Sequence, residues 1–109
     1  MSKQLSFEYQ GKEYCLEFTR KSVEKMERRG FKVSDIMEKP VTTLPTLFAG
    51  AFIAHHSNIK PELVDEIFLK MKGKDNLIEK LAEMYNEPIM ALIEEPDEAE
   101  GNVDWTPSW

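Results

Sequence analysis

The stretch T-L-P-T-L-F-A-G-A-F-I-A-H, from Thr43 to His55, is the most apolar part of this chain of 109 residues. Leucines and phenylalanines recur in it at helical spacing: Leu44, Leu47, Phe48 and Phe52. Its other side carries small or apolar residues: Ala49, Gly50, Ile53 and Ala54. A helix that is apolar on all sides is typical of a buried helix. The sequence therefore predicts a helix from about Leu44 to His55, begun by Thr43, at the centre of the fold.

Upstream of this helix, alternating apolar and polar residues predict two β-strands, one over Leu5 to Tyr9 and one over Glu13 to Phe18. The connection Gln10-Gly11-Lys12 between them is short, and its glycine can take a positive φ, which favours a hairpin. A lone hairpin is marginally stable in water. We therefore expect its aromatic face to lie on helices or on another subunit.

Three more helices are expected from caps and apolar periodicity: one from Arg20 to Arg29 capped by Thr19 and ended by Gly30, one from Pro61 to about Met71, and one from about Asp75. A single short turn, Asp35 to Glu38, is expected to end at Pro40. Pro88 predicts a kink or break in the last helix near Asn86. The predicted fold class is α+β, mainly α: an N-terminal β-hairpin followed by a small helical bundle of about four helices.

The small residues of the central helix form one candidate partner-binding face. Glycine in the middle of a helix costs about 1 kcal/mol relative to alanine, so Gly50 predicts room for a close neighbour. Ala49 and Ile53 lie beside it on the helix and complete the face. Self-association to a homo-oligomer is expected, either through this face or through the edge of the hairpin.

The C-terminal segment is the second candidate partner-binding element. Residues 94–109 carry six acidic side chains, no basic one and two tryptophans, and account for the whole formal charge of −6. We therefore divide the chain into a folded domain, residues 1–95, and an acidic tail, residues 96–109, with disorder expected from about Asp97 onward. Exposed tryptophan is unfavourable unless a partner covers it, so Trp105 and Trp109, with Val103, are predicted partner anchors. The alternative is that both tryptophans fold back onto the apolar surface of the domain.

Several classes of partner are disfavoured by composition. The net negative charge argues against nucleic acid, and the basic residues Arg28, Arg29 and Lys32 are interspersed with glutamates, as on a solvated helix face. The apolar run in the central helix is shorter than the roughly 20 residues that a membrane span needs. The N-terminus lacks the apolar run of a signal peptide. The single cysteine, Cys15, excludes an internal disulfide.

The sequence contains no recognisable active site. His55 and His56 are adjacent, so on a helix they point about 100° apart and do not easily share a metal ion. Cys15 has no neighbouring general base in the sequence. The glutamates Glu79 and Glu83 have the spacing of a solvated helix face, and the glycines are scattered singly. We therefore expect no enzyme activity, no catalytic or metal-binding residues and no cofactor.

Five segments resemble small proteins encoded in the tail modules of long-tailed, siphovirus-like phages and prophages of Gram-positive bacteria. These segments are F-x-Y-x-G-K-E-Y (Phe7 to Tyr14), L-E-F-T-R-K-S-V-E-K-M-E (Leu16 to Glu27), T-T-L-P-T-L-F-A-G-A-F-I-A-H-H (Thr42 to His56), L-I-E-K-L-A-E-M-Y-N-E-P-I (Leu77 to Ile89) and G-N-V-x-W…W (Gly101 to Trp109). The resemblance covers nearly the whole chain. The resemblance lies in the order of the segments and in their amino-acid sequences rather than in a chemical motif.

The resemblance implies the role of a tail assembly chaperone in the cytoplasm of the bacterial host. Members of that family keep the long, helical, aggregation-prone tape-measure protein soluble and recruit tail-tube subunits, often as multimers, and are absent from the finished virion. Some have a longer form made by ribosomal frameshifting, and this chain resembles the short form or a phage without an extension. The alternatives are a structural virion component, such as a tail connector or completion protein, and a small enzyme or nucleic-acid regulator.

Overall fold

The predicted order of a hairpin followed by four helices is confirmed by a computed structural model, which describes residues 3–93 and 103–109. The strands are β1 (Gln4–Tyr9) and β2 (Lys12–Glu17), and the helices are α1 (Arg20–Arg28), α2 (Pro40–Gly50), α3 (Pro61–Lys70) and α4 (Lys74–Ile93), with a 3-10 turn at Val33–Ile36. The fold class is thus α+β and mainly α.

The hairpin is antiparallel and closes with a two-residue turn. Tyr9 pairs with Lys12, and the residues between them, Gln10 and Gly11, have φ values of 51° and 80°. Positive φ at both turn positions matches the right-handed twist of the strands, and glycine adopts it without strain. One face of the hairpin carries stacked rings of Phe7 and Tyr14, with centroids 5.4 Å apart, and this face packs on the helices.

The outer edge of β2 is held by the chain that follows α2. The Glu17 amide donates to the Ala51 carbonyl at 3.0 Å, and the Cys15 amide donates to Nε2 of His56 at 3.1 Å. These two bonds satisfy the outward-pointing amides of Cys15 and Glu17 and fix the hairpin against the C-terminal end of α2. The rings of Phe7 and Phe52 meet edge to face just inside this junction, at 6.3 Å between centroids.

Helix α1 begins and ends as predicted from its caps. The Thr19 hydroxyl accepts from the Ser22 amide at 3.1 Å, and Oγ of Ser22 accepts from the Thr19 amide at 2.8 Å, which closes a capping box. At the other end Gly30 has a φ of 89°. The amides of Gly30 and Phe31 donate to the carbonyls of Glu27 and Met26, so the chain reverses direction in a Schellman motif.

The predicted bounds of the central helix were wrong. Helix α2 begins at Pro40, which was expected to end a turn, and it ends at Gly50 rather than His55. Proline is well suited to the first position of a helix because its fixed φ is helical and its missing amide has no partner there. Pro40 therefore begins the helix, Pro45 lies within it, and residues 51–55 continue as turns with bonds such as Phe52 amide to Ala49 carbonyl.

The expectation that this helix is buried on all sides was also wrong. Leu47, Phe48 and Gly50 are buried. Ala49 is exposed, and so is Val41 in the first turn of the helix. The helix contacts α1, α3 and α4 on its other sides. Small apolar residues on its exposed side are tolerated, because scattered apolar atoms are common on protein surfaces.

A kink or break was predicted near Asn86; the helix is not broken there, since α4 is continuous from Lys74 to Ile93 with Pro88 inside it. Proline removes one helical hydrogen bond, to the carbonyl of Met84. Ile89 beyond it still packs against the core, whereas Leu92 and Ile93 are exposed. The packing of the residues on either side of Pro88 therefore outweighs the lost bond.

The buried core is formed by side chains of β2, of the four helices and of the residues that directly follow β2 and α2. Its buried apolar side chains are Tyr14, Leu16, Phe18, Val23, Met26, Leu47, Phe48, Ala51, Phe52, Val64, Ile67, Leu77, Leu81, Met84 and Tyr85. The helices are too short or too polar for a membrane: none in the described part of the chain could cross one.

Candidate protein-interaction surfaces

A groove between α1 and α2 brings together the predicted residues Ala49, Gly50 and Ile53. Its volume is about 340 Å³. The remaining lining residues are Met26, Arg29, Gly30, Phe31, Lys32, Asp35, Lys39, Thr42, Thr43 and Thr46. We call it the basic groove because three cationic side chains and a single carboxylate line it. None of the other predicted residues, Val103, Trp105 and Trp109, is among its lining residues.

Within the basic groove, Gly50 accommodates a neighbour in the same chain. A Cβ atom placed on Gly50 would overlap with Sδ and Cε of Met26, which is buried in α1. The glycine thus allows α1 and α2 to approach closely, as its position in the helix predicted. Gly50 itself is buried, whereas Ala49 is exposed and Ile53 is half-buried. Only the latter two therefore offer surface to a partner.

The charged rim of the basic groove is positioned by the Schellman motif that ends α1. Arg29 is the last residue before Gly30, and Lys32 follows the reversal of the chain, so both cations come to the groove. Phe31 between them turns inward, with its ring 5.2 Å from that of Tyr85. The basic residues at the end of α1 were interpreted as a solvated helix face. All three are exposed, and two of them, Arg29 and Lys32, also line a concave surface.

A second surface, missed in the sequence, lies between the start of α2 and the end of α3. It is lined by Pro40, Val41, Leu44, Pro45, Asp65, Phe68 and Leu69, and its volume is about 480 Å³. We call it the α2–α3 patch. Val41 is 88% exposed and Leu69 is 74% exposed, and Asp65 is the single charged residue in its lining. The signal in the sequence was a pair of apolar residues, Val41 and Leu44, three positions apart. This spacing indicates a shared helix face only if the helix begins at Pro40.

The described part of the C-terminal segment, residues 103–109, has no helix or strand. Trp105 is 77% exposed and Trp109 is fully exposed, and Val103 is exposed as well. In the described residues, therefore, neither tryptophan folds back onto the apolar surface of the domain. The predicted domain boundary after residue 95 and the predicted disorder of residues 97–102 lie outside the described residues.

His55 and His56 both contact residues of β2. Nε2 of His55 lies 2.6 Å from a carboxylate oxygen of Glu17, and His56 accepts the Cys15 amide. Burial, the charge of Lys12 and the neighbouring His55 lower the pKa of His56 from its ordinary value. Both rings therefore bind the hairpin to the end of α2. In residues 3–93 and 103–109 there is no group of three or more side chains placed to hold a metal ion.

Comparison with known proteins places the chain in one family. The family described as "Domain of unknown function (DUF5055)" matches residues 1–109, and the chain belongs to it. Neither the curated proteins nor the solved structures include a match. The family assignment describes the whole chain but states no activity, so the function must be argued from the surfaces described above.

Proposed function

We propose that this protein is a phage tail assembly chaperone, which binds the tape-measure and tail-tube proteins in the cytoplasm of the bacterial host and has no catalytic role. Two observations support the proposal. Segments along nearly the whole chain resemble that family, and the α2–α3 patch exposes apolar side chains that a soluble domain has no internal reason to expose. The α2–α3 patch is the observation that carries the proposal.

The chemistry of the α2–α3 patch suits an amphipathic helix of a tape-measure protein. Its lining is apolar except for Asp65, and it lies in a shallow depression between two helices, α2 and α3. Helical partners dock in such grooves through apolar residues spaced three and four apart. Met37, which lies just before α2 and does not line the α2–α3 patch, is strongly exposed as well, and a flexible methionine suits a protein that must accept several client sequences.

Coexpression with the tape-measure protein of the same phage tests the proposal. The wild-type chain should keep the tape-measure protein soluble, and Val41→Asp with Leu69→Asp should return it to the pellet, because a carboxylate in the patch opposes burial of a helix. Leu92→Asp is the matched control, since Leu92 is an exposed leucine on α4, away from the α2–α3 patch. Both variants should melt at the temperature of the wild type.

Two results would contradict the proposal. Unchanged solubility of the tape-measure protein with the double variant would mean that the α2–α3 patch is not the client surface. Detection of the protein at stoichiometric levels in purified virions by mass spectrometry would favour the structural alternative, a connector or completion protein, over a chaperone that leaves the particle.

A further inference from the structure

The basic groove and the C-terminal segment are complementary in charge. Arg29, Lys32 and Lys39 line the groove with Asp35 as the only carboxylate. The last sixteen residues carry six acidic side chains and no basic one; Asp104 is the acid within residues 103–109, and the other five precede it in the sequence. Opposite potentials of this kind steer two surfaces together and fix their orientation. In a chain whose other residues are formally neutral, this is the strongest contrast of charge that the sequence offers.

The two elements are also complementary in shape and polarity. The groove also has apolar lining residues, among them Phe31, Ala49 and Ile53. The segment offers two exposed indole rings. Tryptophan is a frequent anchor at the centre of interfaces, and an arginine over an indole face adds a cation–π attraction. A volume of about 340 Å³ lies within the range of pockets that enclose a ligand group of this size.

From this complementarity we propose that residues 103–109 of one copy dock, through Trp105 and Trp109, in the basic groove of a second copy of this chain. A second copy is the occupant because the segment of the same chain does not occupy the groove: both tryptophans are exposed, and neither lines it. The inference does not depend on the proposed function, since it uses neither the α2–α3 patch nor the tape-measure protein.

The geometry of this contact determines the kind of assembly. The groove and the segment are different surfaces of the molecule, so each copy uses its segment on one neighbour and offers its groove to another. Such heterologous contacts build open chains or rings rather than closing at a twofold dimer. The mean mass therefore rises continuously with protein concentration, and it falls with added salt because the rim charges are exposed.

Intrinsic fluorescence reports directly on the proposed contact, because Trp105 and Trp109 are the only two tryptophans in the chain. Their emission should shift to the blue as concentration rises, in parallel with the mass measured by light scattering. Trp105→Ala with Trp109→Ala should weaken self-association about tenfold or more, as loss of an anchor does. Arg29→Glu with Lys32→Glu should do the same, whereas Lys21→Glu, on an exposed lysine of α1 outside the groove, should leave both signals unchanged.

Mixing the two defective variants is the decisive experiment. The tryptophan variant retains an intact groove, and the charge-reversed variant retains an intact segment. Each alone should be monomeric at concentrations where the wild type associates, and their mixture should form one-to-one complexes that grow no further. All substituted side chains are exposed, so both variants should keep the melting temperature of the wild type.

Three results would overturn the inference. The first is self-association of the tryptophan variant equal to that of the wild type. The second is a monomer whose emission is already blue-shifted at the lowest concentration, which would mean that the segment docks in its own groove. The third is a monomer at all concentrations whose emission shifts only when tape-measure protein is added, which would assign the tryptophans to the client.

Discussion

Replacement of Phe48 by alanine tests the placement of α2 at the centre of the fold. The Phe48 side chain is 0% exposed, and its ring lies 5.1 Å from that of Phe52 and 5.0 Å from that of Phe68, measured between centroids. Truncation of a fully buried phenylalanine costs about 3–5 kcal/mol, because transfer free energy is lost and a cavity remains. We expect the upper half of that range, since rings on two sides limit how far the site can collapse.

This magnitude is large compared with the stability of the whole domain. Small domains unfold with a free energy of about 5–15 kcal/mol, so Phe48→Ala should remove about a quarter of it or more. For a domain of about 100 residues, each kcal/mol corresponds to a shift of roughly 4–8 °C in melting temperature. The variant should therefore melt at least about 16 °C below the wild type, by the same conversion.

Urea denaturation followed by circular dichroism measures the effect, and Val41→Ala is the matched control. Val41 lies in the same helix but is 88% exposed, so its truncation should change the free energy of unfolding by no more than about 0.5 kcal/mol. The slope of the transition should stay the same in both variants. If Phe48→Ala unfolds at the same urea concentration as the wild type, then Phe48 is not in the core and α2 is a surface helix.

Three further predictions concern other parts of the structure. The pKa of His56 is lowered from 6.5 in the folded chain, so the unfolded chain takes up the proton first as pH falls. The free energy of unfolding should therefore be constant above pH 6.5 and decrease below it, and urea titrations should find a smaller decrease in His56→Gln. Gly50→Ala should cost about 1 kcal/mol or more by overpacking, and a double-mutant cycle with Met26→Ala should remove that cost if the overlap with Met26 is its cause. Thr19→Ala should lower the free energy of unfolding by about 1 kcal/mol through loss of the capping box with Ser22, and an unchanged urea midpoint would contradict that role.

Features set by neighbouring residues were predictable from the sequence. The hairpin turn at Gln10 and Gly11 and the N-terminal cap at Thr19 depend on a few consecutive side chains, and both were found as expected. Sites where two local rules compete were not predictable. Pro40 and Pro45 are each acceptable in the first turn of a helix, so the local sequence does not select the earlier start that the structure has.

The candidate surfaces were predictable only in part, for a similar reason. Gly50 indicated a close neighbour, but the spacing within one helix does not identify that neighbour as Met26. The rim of the basic groove depends on how the chain reverses after α1, which carries Arg29 and Lys32 to a concave surface. Concavity arises from the arrangement of helices in three dimensions. A pattern along one helix therefore cannot distinguish a solvated face from the wall of a groove.

The bonds from Cys15 and Glu17 to the end of α2 make the two edges of the sheet unequal. Ser6 and Gln4 pair with Cys15 and Glu17 across the hairpin, so their amides also point outward, on the other side of the sheet. Within residues 3–93 and 103–109, no backbone carbonyl accepts a hydrogen bond from these two amides. A third strand can therefore be added beside β1 alone. If the β1 strands of two copies paired with each other, neither copy would have an open edge left. The sheet would then stop at four strands instead of growing into a fibre.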